Sequence, residues 1–225
     1  MTFKTDAKGK IVWLDLETGG LDSERHQIIQ IAAIATDYEL KELEAFERKI
    51  KLYPGYYEEE ALDVNSYDPD AWAKEAIDAM SARADFVKFL EGHRSLLKTS
   101  KAGKRYRIAE LGGHNLEFDV RFLRKWFRCD ERDHPNNAFL PATAYTAGWY
   151  DTMHLAKWLT VIRGRQWSSL QLSDICSDMG VQVENAHDAL ADVHMCIEAA
   201  RRMITLLVGS GKTIQEAIDE AKQQD

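Results

Sequence analysis

The run Ile11-Val12-Trp13-Leu14-Asp15-Leu16-Glu17 constrains this chain more than any other segment. Its apolar, β-branched composition predicts a buried strand over 11–17. Side chains on a strand alternate with period two, so Asp15 and Glu17 leave the same face. Two like charges side by side in a buried strand are costly unless a cation sits between them. The fitting cation is a hard divalent ion, Mg²⁺ or Mn²⁺, which prefers carboxylate oxygen. The competing arrangement, an edge strand with both acids in solvent, has little room among such apolar neighbours.

A chain of 225 residues, 45% hydrophobic and 29% charged, suits one soluble domain with a full core and a modest extension. The boundaries read as 1–208 for the domain and 209–225 for a C-terminal helical extension. No apolar run is long enough to span a bilayer, and Met1-Thr2-Phe3-Lys4-Thr5-Asp6 lacks the apolar middle of a signal peptide. Cys129, Cys176 and Cys196 form an odd, unclustered set, which predicts reduced thiols and a cytoplasmic location. The net charge of −8 is the wrong sign for a protein that grips nucleic acid by bulk electrostatics. It leaves room for a nuclease whose carboxylates bring metal ions to the phosphate. Two stretches are locally basic: Lys98 to Arg107, and the set Arg121, Arg124, Lys125 and Arg128. Either could track a phosphate backbone, although each taken alone reads as solvated surface charge.

Periodicity predicts strands over 11–17, 27–37 and 42–51, with Gly19-Gly20 breaking the first. Residues 70–97 carry helical spacing with a break near Ser81. A basic loop near 98–105 leads to a strand at about 106–114, and Asn115 is expected to cap a helix to about Cys129. Residues 130–147 read as a long loop. A short strand ending at Asp151 follows, then helices over 152–162, from Ser168 or Ser169 to Met179, over 188–208 and over 213–223. Strands first, then alternating helices and strands, predict an α/β fold: a mixed sheet flanked by helices on both faces.

Two further segments carry acids that this arrangement could bring to the first pair. Asp119 lies four residues after Asn115, on a first helical turn aimed back at the sheet end, or serves only to stabilise a helix N-terminus. His187 and Asp192 are five residues apart, about 140° on one continuous helix, so they would not share a face. His187 is therefore expected in the loop before the helix, Asp192 on its second turn, and Asp188 as the cap. Gly209-Ser210-Gly211-Lys212-Thr213 echoes a phosphate loop but has Leu206 where the pattern needs glycine.

Asp15-x-Glu17 followed by Thr18-Gly19-Gly20, then His114-Asn115-x-x-Phe118-Asp119, then His187-x-Ala189-x-x-Asp192 resemble the three exonuclease motifs of the DEDDh family. That family includes the proofreading epsilon subunit of bacterial DNA polymerase III, ribonuclease T and oligoribonuclease. The motifs occur in the family's order across residues 10–205; Gly19 departs from it, standing where many members have a second Thr. The resemblance implies a ribonuclease-H-like fold and 3′→5′ release of nucleoside 5′-monophosphates. It implies two divalent cations, Mg²⁺ or Mn²⁺, on Asp15, Glu17, Asp119 and Asp192, a set able to hold ions about 3.5–4 Å apart. His187 would be the general base, its ordinary pKa of about 6.5 suiting proton abstraction near neutrality. Thr18 and Leu21 would contact the terminal nucleotide, and Asn115 and Phe118 would line the scissile end, though a cap and a core aromatic are equally good readings of those two.

The leading expectation is an exonuclease acting on the 3′ end of single-stranded DNA, ahead of an exoribonuclease acting on short RNA or RNA 3′ ends. A catalytically inactive nucleic-acid-binding or accessory module is the alternative of another class. The intact acids and His187 speak against it, because such a module has no reason to keep mutually repelling buried carboxylates. No membrane is expected as a partner; a polymerase partner and a homodimer both stay open.

Overall fold

The computed structural model describes residues 9–65, 67–128, 148–183 and 188–209. His187, the loop 130–147 and the expected helix 213–223 lie outside the described residues.

A five-stranded mixed sheet forms the centre, in the spatial order β3-β2-β1-β6-β7. Its strands are β1 (Lys10–Thr18), β2 (Ile28–Asp37), β3 (Glu42–Lys49), β6 (Glu110–Gly113) and β7 (Tyr150–Asp151). β1 pairs antiparallel with β2 and parallel with β6, so it is covered on both edges and both faces. Ile28–Asp37 is buried along its whole length, which is why it reads as continuous rather than alternating hydrophobicity.

Helices cover both faces. The even positions Val12, Leu14 and Leu16 pack with Phe86, Phe89 and Leu90 of α3 (Ala79–Gly92) and with Val120 and Leu123 of α4 (Glu117–Arg128). The odd positions Ile11 and Trp13 pack with Val193, Cys196, Ile197 and Ala200 of α7 (Ala189–Val208). α5 (Thr152–Arg163) and α6 (Leu172–Asp178) complete that layer through Leu159, Ile175 and Met203. Period two then dictates that Asp15 and Glu17 continue the face that α7 covers. Two short helices, α1 (Glu59–Val64) and α2 (Pro69–Glu75), fill the stretch between β3 and α3. No helix among the described residues is long and apolar enough to cross a membrane.

Four local expectations need correction. The helical stretch breaks at 76–78 rather than near Ser81, because Ile77 leaves the helix to bridge Ile50 and Asp78 caps α3 by accepting from the Ser81 N–H at 2.9 Å. The strand expected over 106–114 is two strands. β5 (Arg105–Ile108) folds back on β4 (Leu96–Thr99) as a separate hairpin, and only β6 joins the main sheet. The helix expected from Ser168 or Ser169 begins at Leu172, since the Ser169 hydroxyl instead accepts from Gln171 N–H at 3.0 Å and holds a turn. Asn115 is not the cap of α4: it adopts a left-handed φ of 53°, and the acceptor for the free N–H groups at that end comes from Asp151.

Candidate active site

Register carries the acids to one end of the sheet. Glu17 lies opposite Gln30 near the end of β1, and Asp192 projects onto the same face from the first turn of α7 rather than the expected second, because the helix starts only at Ala189. Carboxylate oxygens of Asp15, Glu17 and Asp192 all lie within 4.8 Å of one another. Glu17 is buried, while Asp15 and Asp192 keep some contact with solvent. Burial first, and then repulsion from Asp192 and Asp188, pushes the Asp15 carboxyl from its ordinary 3.8 to about 8. Burial, then repulsion from Asp15, raises Glu17 to about 9. Three hard oxygen donors this close together, two of them holding their protons strongly, are a site short of positive charge, which fits a divalent cation.

Asp119 arrives from α4 and is buried. One of its oxygens accepts from the Leu16 N–H at 3.1 Å, which ties the helix start to the strand between the first two acids. Burial and then Asp15 raise its pKa well above the ordinary value, so it senses the cluster electrostatically. Its carboxylate is nevertheless outside the three-acid group. Asp188 is the expected cap of α7, accepting from the Ala191 N–H at 3.0 Å, and it adds negative charge to the site.

The remaining expected contacts fall around this end. Leu21 is 85% exposed on the turn after β1. The buried Thr18 hydroxyl donates to the Gly20 carbonyl at 2.8 Å and so shapes that turn. Asn115 is exposed, and half-buried Phe118 stacks at 5.0 Å on Phe122. Gly19 has a packing cause: a Cβ there would sit 2.7 Å from Tyr57 Cβ and 2.8 Å from the Tyr56 carbonyl oxygen. The threonine common in the resembling family therefore cannot fit beside this 53–58 turn.

His26, Gln30 and Asp151 support the site with no motif to mark them, and His114, part of the second motif, gains a structural role. His26 accepts from the Asp22 N–H through Nδ1 at 3.1 Å and pairs with Glu58 through Nε2 at 3.3 Å, fixing the turn that displays Leu21. Gln30, a polar residue amid the apolar first half of β2, sends its amide to Glu47 at 2.8 Å and to Asp188 at 3.4 Å; its apolar neighbours were the available signal. His114 uses Nε2–H to donate to the Leu170 carbonyl at 2.9 Å, and burial lowers its pKa, so it is a neutral strut between β6 and the 165–171 segment.

Asp151 is the most connected of these. Its oxygens accept from Asn115 N–H at 3.3 Å, Leu116 N–H at 2.9 Å, Met153 N–H at 2.9 Å and His154 N–H at 3.3 Å. One carboxylate thus caps α5 and pins the start of α4, which carries Asp119. Asp151→Ala is expected to lower stability by about 3 kcal/mol, a lost cap plus orphaned buried donors. Urea unfolding measures it, and a loss under about 0.5 kcal/mol would refute this role.

A family model described as Exonuclease (RNase_T) matches residues 12–200. A probable oligoribonuclease of Schizosaccharomyces pombe is 29% identical over 121 residues, 53% of this chain and 46% of that protein. Among solved structures, E. coli exonuclease I in complex with a dT13 oligonucleotide is similar at a TM-score of 0.65 and 20% identity, over 88% of this chain and 41% of that one. An exonuclease I from Methylocaldum szegediense is similar at a TM-score of 0.61 and 24% identity, over 95% of this chain and 45% of that one. These likenesses agree with the ribonuclease-H-like sheet described above. The chain spans less than half the length of each of these proteins.

Proposed function

The chain belongs to the RNase_T exonuclease family and is of its DEDDh type, and on that premise we propose that it is a metal-dependent 3′→5′ exonuclease. Its substrate in this reading is single-stranded DNA, from which it releases nucleoside 5′-monophosphates. The observation that carries the reading is the convergence of Asp15, Glu17 and Asp192 within 4.8 Å in a setting that holds the protons of Asp15 and Glu17.

Asp15, Glu17 and Asp192, with Asp119 beside them, would hold two divalent cations, Mg²⁺ or Mn²⁺. Such ions, when bound, supply Lewis-acid activation of water and of the scissile phosphate. The chain's own residues do the rest. Leu21 wedges against the terminal base, on a turn fixed by Thr18 and His26. Asn115 and Phe118 flank the scissile phosphodiester at the start of α4. His187, the residue before the Asp188 cap, takes the proton from the attacking water as the bond from phosphorus to the 3′ oxygen breaks. That oxygen then becomes the new 3′ end. The two described thiols, Cys176 and Cys196, are buried and unpaired, as a reducing cytoplasmic setting permits.

Matched 3′- and 5′-labelled DNA and RNA oligonucleotides with Mg²⁺ or Mn²⁺ test the reading. The expected result is stepwise shortening from the 3′ end, faster on DNA. The likeness to a probable oligoribonuclease favours the second reading, an exoribonuclease on short RNA, and faster RNA cleavage would establish it. No cleavage of either would refute both.

The proton-acceptor role makes its own prediction. His187→Ala should lose about 10²–10⁴-fold in turnover, the range of general-base removal, with metal binding retained. In the parent protein the rate should fall as pH drops through the histidine's pKa, because imidazolium cannot accept a proton. If the variant keeps the same acid limb in its pH–rate profile, the proton goes elsewhere.

A further inference from the structure

The stretch Lys98 to Arg107 holds five cations, Lys98, Lys101, Lys104, Arg105 and Arg107, and no acid. It forms the β4–β5 hairpin, which stands apart from the main sheet. Leu96 lies opposite Ile108 and Lys98 opposite Tyr106, while Leu97 faces Arg107 and Thr99 faces Arg105. Ile108 anchors the first of these faces in the core; Leu97, Thr99, Arg105 and Arg107 of the second are exposed. The tip is built: Ser100 N–H donates to Lys104 O at 2.8 Å, and Lys104 N–H donates to the Ser100 hydroxyl at 3.0 Å.

Some surface cations elsewhere find partners, as in Arg48–Asp85, Lys49–Glu75, Lys125–Glu24 and Arg202–Glu198, and others, such as Lys41, Lys51 and Lys88, stand singly rather than clustered. Lys98, Lys101, Lys104 and Arg105 pair with no carboxylate among the described residues. Like charges fixed on one short hairpin repel each other, and a polyanion relieves that repulsion. In a chain of net charge −8 this hairpin concentrates positive charge apart from the acids Asp15, Glu17, Asp119, Asp188 and Asp192.

We propose that the β4–β5 hairpin is a second nucleic-acid contact, holding the phosphate backbone of the substrate strand upstream of its 3′ end. The proposal rests on the exonuclease reading for the identity of the polyanion. Exposed Tyr106, 38% accessible on the Lys98 side of the hairpin, adds a surface on which a base can stack. The hairpin offers clustered charge with an aromatic ring, which favours nucleic acid over an acidic protein segment. Its base sits at the start of β1, where Lys10 N–H donates to the Ser95 hydroxyl at 2.9 Å. Lys10 is seven residues from Glu17, about 23 Å of strand. At a stacked rise of about 3.4 Å per nucleotide, reaching the hairpin's base alone takes roughly seven nucleotides. Short strands therefore reach only the catalytic end, and long ones reach both.

The test replaces Lys98, Lys101, Lys104 and Arg105 with Gln, leaving Arg107, whose guanidinium donates to the Ser95 carbonyl. Binding of labelled single-stranded DNA of four and of twenty nucleotides is followed by anisotropy in EDTA across a salt series. The expected result is that the variant binds the long strand roughly tenfold or more weakly, with the slope of log K against log salt reduced by about 2–3. Short-strand binding and short-strand turnover should match the parent. Equal long-strand affinity in parent and variant overturns the proposal. So does a poly-Glu peptide that displaces the long strand at equal charge concentration, which would assign the hairpin to an acidic protein. Because binding is read without turnover, absence of nuclease activity would refute the exonuclease reading and leave this measurement standing.

Discussion

Replacing Asp15 or Asp192 by Asn is expected to lower exonuclease turnover by at least about 10³-fold while raising the melting temperature of the metal-free protein by several degrees. The rate loss follows because removing one carboxylate from a three-acid cluster withdraws a ligand from the ions that stabilise charge at the phosphate, a contribution of several kcal/mol. The gain in stability has the same origin. Burial and the facing acids hold the Asp15 proton up to about 8, so in the absence of cations the folded state is strained by each carboxylate it encloses. Asn keeps nearly the same shape and removes that charge. Asp151→Asn is the useful contrast, because it keeps one acceptor oxygen at the α4–α5 junction and touches no member of the cluster. Turnover assays and thermal melts in EDTA read both halves. A variant at Asp15 or Asp192 that retains near-parental rates with Mg²⁺ would show that the ligand assignment is wrong.

The part of this site that was legible in the sequence is the part that depends on local periodicity. Asp15 and Glu17 share a face because strands alternate, and nothing remote can change that. Asp188 caps α7, as its place before Ala189 suggests, and Asp119 points back at the sheet as the first turn of a helix must. What was not legible depends on partners distant in the chain. The stretch 106–114 reads as one strand, yet it divides at Ala109 because Leu96–Thr99 captures the first half and β1 the second. Asp151 becomes a hub only because Gly113 pairs with it across β6 and β7, bringing residue 151 to the start of α4. The break at 76–78 likewise needs Ile50 to be in reach of Ile77. Gly19 is the instructive departure: its residue type, odd against the family pattern, is set by the 53–58 turn packed on it.

Chelation is expected to abolish turnover and, separately, to make stability fall with rising pH. Asp15 and Glu17 have ordinary pKa values of 3.8 and 4.5, which apply to the unfolded chain, against about 8 and about 9 in the fold. Between those limits the folded state binds more protons than the unfolded state, so stability declines as pH rises from about 4 towards 9. This is the reverse of the usual carboxylate case, in which a salt-bridged acid loses stability on acidification. Divalent cations bind the deprotonated acids and remove the repulsion, so their stabilising effect should grow over the same window. At a hundredfold excess over Kd, Mn²⁺ should raise the melting temperature by about 5–10 °C near pH 8, and by much less near pH 5 where protons compete. Ca²⁺ should also stabilise the fold but support no cleavage, since its looser coordination positions an attacking water poorly. Melting curves at pH 5, 6.5 and 8, with EDTA, Mn²⁺ or Ca²⁺, separate these effects from a nonspecific salt response, which Na⁺ at matched ionic strength reproduces. A metal-induced shift that is flat across this pH range, or full activity in excess EDTA, would remove the acid cluster from the mechanism.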